Sequence, residues 1–313
     1  MQIRLANTRG FCAGVDRAIE IVRKVLKQNG SPVYVKHEVV HNKTVVNELK
    51  TLGAVFVEEI EDVPVGGIVI FSAHGVSKVV QKDSKEKHLT IYDATCPLVS
   101  KVHAEVIKYS KLGYDCILIG HQNHPEVEGT MGQFDDSFGG SIYLVESVED
   151  VYKLKINDPS SLTYVTQTTL SIDDTQTIMD SLKRRFPDIH GPKTNDICYA
   201  TQNRQDSVKQ LALECDIVLV IGSINSSNSN RLKEIAERSG VESYLIDSSE
   251  DLDHKWLEGK TEVGITSGAS APEHLVKELV SLLQDKYNYS LFGEEERADE
   301  GIFFRLPKGL RNG

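Results

Sequence analysis

The sequence predicts an α/β protein of three pseudo-three-fold-related units, each a mainly parallel sheet flanked by helices. Three observations predict it. Short apolar runs of strand length alternate with amphipathic helical patterns along most of the chain, as in parallel sheets joined by helical crossovers. The programme then restarts twice: 25 residues separate Cys12 from His37, Cys96 from His121 and Cys198 from Ser223, in each case a cysteine from the end of the next strand. An acid-x-x-Glu-Asp-apolar signature also recurs after the third strand, starting at Glu58, Glu146 and Asp247. Repeats of 85 to 100 residues are of ordinary domain size.

The first pass opens with a strand at Gln2 to Ala6 and a helix with Val15, Ala18, Ile19, Val22, Val25 and Leu26 on one face, closed by Gly30. Strand Val33 to Val35, a helix ending at Gly53, and strands Ala54 to Val57 and Ile68 to Phe71 follow. The second pass has strand Leu89 to Tyr92, a helix begun by Pro97 and ended by Gly113, and strands Cys116 to Ile119, Ile142 to Val145 and Leu162 to Val165. In the third pass the leading strand is poorly marked before Cys198. Its later strands, Ile217 to Ile221, Ser243 to Ile246 and Glu262 to Ile265, are clear. The expected boundaries are 1–95, 96–193 and 194–284, with a charged then apolar tail at 285–313 that could add a strand or a lid.

Composition narrows the function. With 46 acidic against 35 basic residues the net charge is −11, which disfavours duplex nucleic acid, whose phosphates need Lys and Arg. The longest apolar runs have strand length, too short for a bilayer, and the N-terminus lacks an apolar signal core. A cytoplasmic protein without membrane contact is expected. Five cysteines, an odd count with wide spacing, argue against a disulfide framework, and the lack of a Cys-x-x-Cys pair excludes a zinc finger or thioredoxin motif.

In parallel sheets ligands sit beyond the strand carboxyl ends, where every marked loop falls. Cys12, Cys96 and Cys198 share one position in the repeat, ahead of a helix, where the helix dipole favours a thiolate. Three thiolates in one place would repel unless a cationic group held them. Zinc in structural sites adds a fourth protein ligand; a 4Fe–4S cluster usually takes four cysteines, and three would leave one iron open. Cys116 and Cys215 lie at or just before strands and are expected in the core. His41, His74 and His124, with Ser226, Ser227, Asn228 and Ser270, fall in loops at strand ends and helix starts, which suit phosphate. His41 and Asn228 each stand 12 residues before the glycine ending their helix, marking equivalent helix starts. There is no Walker A motif and no Gly-x-Gly-x-x-Gly, so a nucleotide is not indicated. The stretch Gly120 to Thr130 holds His121, His124, Glu126 and Glu128 within a few residues. Alone it reads as a polar loop or as a zinc hydrolase site, but the Pro-Cys-x-x-Cys of zinc deaminases does not follow.

Gly10-Phe-Cys-Ala-Gly-Val-Asp-Arg17, His37-Glu-Val-Val-His-Asn42, Ser72-Ala-His-Gly-Val-Ser77, Asp93-Ala-Thr-Cys-Pro-Leu98, His124-Pro-Glu-Val-Glu-Gly-Thr130, Thr166-Gln-Thr-Thr-Leu-Ser171, Asn225-Ser-Ser-Asn-Ser-Asn230 and Ser267-Gly-Ala-Ser-Ala-Pro272 together resemble the 4-hydroxy-3-methylbut-2-enyl diphosphate reductases. The likeness runs in order to about residue 280. It implies three α/β units around a central cavity and a 4Fe–4S cluster on Cys12, Cys96 and Cys198 with one open iron acting as a Lewis acid. It implies the last step of the non-mevalonate isoprenoid pathway: two electrons and two protons remove an allylic hydroxyl as water, giving isopentenyl and dimethylallyl diphosphate. By the same likeness Glu126, with Thr168 and His124, delivers protons, and His41, His74, His124, Thr168, Ser226, Ser227, Asn228 and Ser270 hold the substrate. A flavodoxin- or ferredoxin-type protein would donate electrons to a monomer. A non-catalytic iron–sulfur redox sensor is the rival from another class; it leaves the phosphate-suited loops without a task.

Overall fold

The computed structural model describes residues 1–156, 158–293 and 296–311. The first repeat contains β1 (Gln2–Leu5), α1 (Ala13–Asn29), β2 (Val33–Lys36), α2 (Lys43–Thr51), β3 (Ala54–Val57), β4 (Ile68–Phe71) and α3 (Lys78–Glu86). The second contains β5 (Thr90–Asp93), α4 (Pro97–Lys111), β6 (Asp115–Ile119), α5 (Pro125–Met131), β7 (Ile142–Val145), α6 (Val148–Lys153), β8 (Leu162–Thr166) and α7 (Ile172–Arg185). The third has α8 (Tyr199–Ala212), β9 (Ile217–Ile221), α9 (Ser227–Arg238), β10 (Glu242–Ile246), β11 (Glu262–Ser267) and α10 (Glu273–Tyr287), followed by β12 (Ser290–Phe292). Among the described residues no helix is long and apolar enough to cross a membrane.

These strands form three sheets, ordered β3-β2-β4-β5, β7-β6-β8 and β10-β9-β11-β1-β12, with every ladder parallel. One plan generates all three. The second strand of a repeat is central, flanked by the third and fourth. The leading strand of the following repeat then pairs with the fourth: β5 beside β4, and β1 beside β11. In the second sheet this place holds only an isolated parallel bridge between Thr163 and His190. That bridge is what remains of the weakly marked third leading strand.

This pattern corrects the expected boundaries. The 95/96 limit keeps β5 with its sheet, but β1 belongs with β11 rather than with residues 1–95. An added strand covers the unpaired N–H and C=O groups of an open edge, and the last repeat is the one whose edge β1 can cover. Contact density divides the chain into two units rather than three. One comprises Met1–Asp16, Val40–Glu48 and Tyr199–Phe303; the other Arg17–Val39, Leu49–Cys198 and Phe304–Gly313. The first carries the third sheet and the second carries the other two. The tail adds a strand, since β12 pairs with β1; residues 294, 295, 312 and 313 lie outside the described residues.

The core follows from the two-residue period of strands. In β9, Ile217, Leu219 and Ile221 pack with Leu275, Leu279 and Leu283 of α10 on one face. Val218 and Val220 pack with Val208 and Leu211 of α8 and Leu232 and Ala236 of α9 on the other. Burial on both faces explains the unbroken apolar run, each large side chain contributing about 1.5–3 kcal/mol. β6 repeats the arrangement, with Ile117 and Ile119 toward α7 and Cys116 and Leu118 toward α4 and α5. The acid-x-x-Glu-Asp signature forms a short helical turn each time. At Ser147–Asp150 and Ser248–Asp251 it is a capping box, in which serine and aspartate side chains satisfy each other's backbone N–H groups.

Candidate active site

Each of the three cysteines sits directly before a helix: Cys12 before α1, Cys96 as N-cap of α4, and Cys198 before α8. Their backbone N–H groups find equivalent partners. Cys12 donates to the Ala269 carbonyl at 3.3 Å, Cys96 to Ala73 at 3.0 Å and Cys198 to Thr168 at 3.0 Å. The acceptors lie two residues past β11, β4 and β8, so the fold presents one loop geometry three times. Asp93 and Asn195, three residues ahead of Cys96 and Cys198, also accept the N–H of the residue before the cysteine, at 2.9 and 3.1 Å. These side-chain turns fix the approach of the chain.

All three cysteines are partly exposed, whereas Cys116 is fully buried as expected. Cys215 is partly buried, packed beside the layer that contains Val208 and Leu211. Burial raises the Cys116 thiol strongly and pushes Cys215 up to about 12. At Cys12 the expectation of a simply favoured thiolate needs amending. Burial raises this thiol too, and outweighs the lowering by the Arg204 charge and by the Gly14 and Val15 N–H groups of the helix start. A thiol held up by burial but faced by donors suits a ligand whose charge is taken up by a bound cation.

In the second unit the acid–base groups form one cluster. His124 caps α5, its Nδ1 accepting the Glu126 N–H at 3.1 Å, which places its ring proton on Nε2. Pro125 fills the first helical position, where no N–H is needed. Glu126 is buried, and its two carboxylate oxygens accept the backbone N–H of Thr168 at 2.7 Å and its hydroxyl at 3.1 Å. Burial pushes the Glu126 carboxyl up to about 7; the Thr168 bonds oppose the shift and the charge of Asp196 adds to it. The His74 and His124 rings meet edge to face at 5.8 Å. Glycines permit this approach. A Cβ on Gly129 of α5 would come within 3.2 Å of the Gly75 backbone, and one on Gly75 within 2.6 Å of the His103 ring. Gly75 also sits in the left-handed region, at φ +78, which glycine adopts without a Cβ penalty.

In the first unit Ser226 caps α9, its Oγ accepting from the Ser229 N–H at 3.3 Å. Asn228 Oδ1 accepts the Ala269 N–H at 2.8 Å, while its buried Nδ2 has no hydrogen-bond partner among the described residues. Ser270 Oγ donates to the His41 carbonyl at 2.8 Å, joining two of the expected substrate residues. Ser227 is the first residue of α9 and half-buried. The 12-residue spacing of His41 and Asn228 does not mark equivalent places. His41 precedes the cap of α2, whereas Asn228 is the second residue of α9. The true counterpart of Ser226 and His124 is Asn42, whose Oδ1 accepts the Val45 N–H at 3.1 Å.

Sequence reasoning missed Asn42, although Asn ahead of a helical pattern is itself a cap signal. It also missed Gln167, whose Oε1 accepts the His121 N–H at 3.0 Å, and Asp196, whose Oδ2 accepts the Thr166 N–H at 3.1 Å. Neither had a sequence signal, because both partners are distant in the chain. Among the described residues no three His, Cys, Asp or Glu side chains stand close enough to hold a metal ion. The fit of a metal group therefore rests on the donor set: three thiols, each on a copy of one backbone-anchored loop directly ahead of a helix.

The fold and its loops define a class: a three-sheet parallel α/β protein with cysteine, histidine and carboxyl groups in the loops at strand carboxyl ends. The family model described as LytB protein matches residues 3–284. A 4-hydroxy-3-methylbut-2-enyl diphosphate reductase from Alcanivorax borkumensis is 59% identical, covering 99% of this chain and 100% of its own. One from Pseudomonas aeruginosa is also 59% identical, with 99% of each chain covered. The solved E-1-hydroxy-2-methyl-but-2-enyl-4-diphosphate reductase of Plasmodium falciparum superposes with a TM-score of 0.91 at 41% identity, over 99% of this chain and 96% of that one. A second solved structure, of the (E)-4-hydroxy-3-methyl-but-2-enyl diphosphate reductase described as the terminal enzyme of the non-mevalonate pathway, gives 0.63 at 34%, covering 91% and 100%. The chain belongs to the LytB family.

Proposed function

We propose that the chain reduces (E)-4-hydroxy-3-methylbut-2-enyl diphosphate to isopentenyl and dimethylallyl diphosphate. The C–O bond to the allylic hydroxyl breaks, two electrons and two protons enter, and the oxygen leaves as water. The observation that carries this reading is the double role of Thr168. Its N–H and hydroxyl hold the Glu126 carboxyl, and its carbonyl holds the Cys198 N–H. One residue thereby ties a proton carrier to a cysteine loop, as a proton-coupled reduction requires.

Cys12, Cys96 and Cys198 would hold a 4Fe–4S cluster, which when bound supplies the electrons and a Lewis-acidic iron. Glu126 carries the proton: with its carboxyl near 7 it is protonated in a useful fraction at neutral pH. The Thr168 hydroxyl keeps the carboxyl in one orientation. His124, with its proton on Nε2 and its Nδ1 committed to the Glu126 N–H, donates to a substrate oxygen while keeping Glu126 in place. His74 offers a second imidazole beside it. We assign His41, Ser226, Ser227, Asn228 and Ser270 to the diphosphate; the buried Asn228 Nδ2 supports this, since a buried donor needs an acceptor. In the same reading the protein works as a cytoplasmic monomer supplied by a small flavodoxin- or ferredoxin-type donor.

Iron and acid-labile sulfide counts on anaerobically purified protein test the proposal. Brown protein with about four of each per chain is expected. Colourless, zinc-loaded protein would point to a hydrolase, and a loaded protein that leaves the diphosphate untouched would point to a redox sensor.

A further inference from the structure

The helix after each of the three cysteines carries a cation in its second turn, and each cation grips the backbone just ahead of the next cysteine in the repeat. Arg17, fifth in α1, donates from Nη1 to the Thr95 carbonyl at 3.0 Å and from Nη2 to the Asp93 carbonyl at 3.4 Å, leading into Cys96. Lys101, fifth in α4, donates to the carbonyls of Thr194 and Asn195 at 3.0 and 3.2 Å and to Asp196 Oδ1 at 3.1 Å, leading into Cys198. Arg204, sixth in α8, closes the series: its Nε and Nη2 donate to the Gly10 carbonyl at 3.1 and 2.7 Å, leading into Cys12.

Satisfying a carbonyl does not require a charge. Arg204 is fully buried, and a buried guanidinium is unfavourable unless paired; here Glu300 takes both Nη groups at 3.1 Å. That the same loop meets a cation in all three repeats points beyond hydrogen-bond satisfaction. We infer that Arg17, Lys101 and Arg204 are positioning residues that set the three cysteine loops and supply positive charge beside the anionic group those loops hold. The inference rests on the three-cysteine cluster proposed above. Outer partners of metal ligands commonly change metal affinity by about ten-fold or more.

The test uses anaerobic holoprotein of the parent chain and of Arg17→Gln, Lys101→Met, Lys101→Arg and Arg17→Lys, with the buried Arg204 left intact. Cluster loss to an iron chelator is followed by visible absorbance, and the midpoint potential is measured in parallel. Arg17→Gln and Lys101→Met should lose cluster about ten-fold faster and have a more negative potential, since a cation favours the more anionic reduced form. Lys101→Arg should restore both readouts. Arg17→Lys keeps the charge but not the two-carbonyl grip, so it should lose cluster faster with little change in potential; it decides the matter if the neutral variants fail to fold. Unchanged loss rates and potentials in a loaded series overturn the inference alone. A parent protein without iron and sulfide overturns the functional reading and this inference with it.

Discussion

Glu126 receives both hydrogen bonds that Thr168 can give, the backbone N–H at 2.7 Å and the hydroxyl at 3.1 Å, one to each carboxylate oxygen. The pair is buried, and these bonds only partly offset the burial that lifts the carboxyl to about 7. Glu126→Gln keeps the shape and removes the proton. We expect the cluster and substrate affinity to persist while turnover falls about 100-fold or more. Single-turnover kinetics on cluster-loaded protein check this; undiminished turnover would remove Glu126 from the proton path.

The same shift makes stability depend on pH. The folded carboxyl releases its proton near 7, the unfolded one near 4.5. The folded state therefore holds the extra proton between these values, and stability falls as pH rises through that window, by roughly 3 kcal/mol. Glu126→Gln should lose this component, so the difference in Tm between variant and parent should grow from pH 5 to pH 8. A difference that stays constant with pH would mean that the carboxyl is not lifted.

The cysteines should separate cleanly. Cys96→Ala and Cys198→Ala are expected to lose most bound iron. Cys116→Ala, in the layer between β6 and α4, should keep its iron and lose about 1 kcal/mol of stability from the small cavity. Iron analysis and thermal melts decide; an iron-free Cys116→Ala protein would show that the wrong thiols have been chosen.

At Gly129 an added methyl would meet the Gly75 backbone at 3.2 Å. Gly129→Ala should push the 72–77 loop, moving His74 away from His124. Overpacking of this kind costs about 1–3 kcal/mol. We expect KM for the diphosphate to rise about ten-fold with a smaller effect on kcat, because the proton carrier is not in that loop. Equal losses in both would place His74 in the chemical step instead.

Much of this was legible from spacing. The cysteine period, the capping signatures and the apolar runs are local, and a chain with three copies states its local rules three times. Strand partners were not legible: nothing in Gln2–Leu5 says that it pairs with β11 rather than with its own repeat, because either edge suits the same alternating pattern. The helices α3, α7 and α10 were also unread, although Ser77 and Ser171 cap the first two. Glu126 and Thr168 could be named from resemblance, but their contact spans 42 residues and depends on the loop after β8 folding over α5. The burial that sets the carboxyl near 7 is a property of that packing.

The most direct measurement is of products. Anaerobic, cluster-loaded protein is given (E)-4-hydroxy-3-methylbut-2-enyl diphosphate and a chemical one-electron reductant, and the mixture is followed by NMR. We expect isopentenyl and dimethylallyl diphosphate, with two electrons consumed per substrate and the diphosphate intact. Unreacted substrate beside a full cluster, or release of phosphate in place of the hydroxyl, would contradict the account.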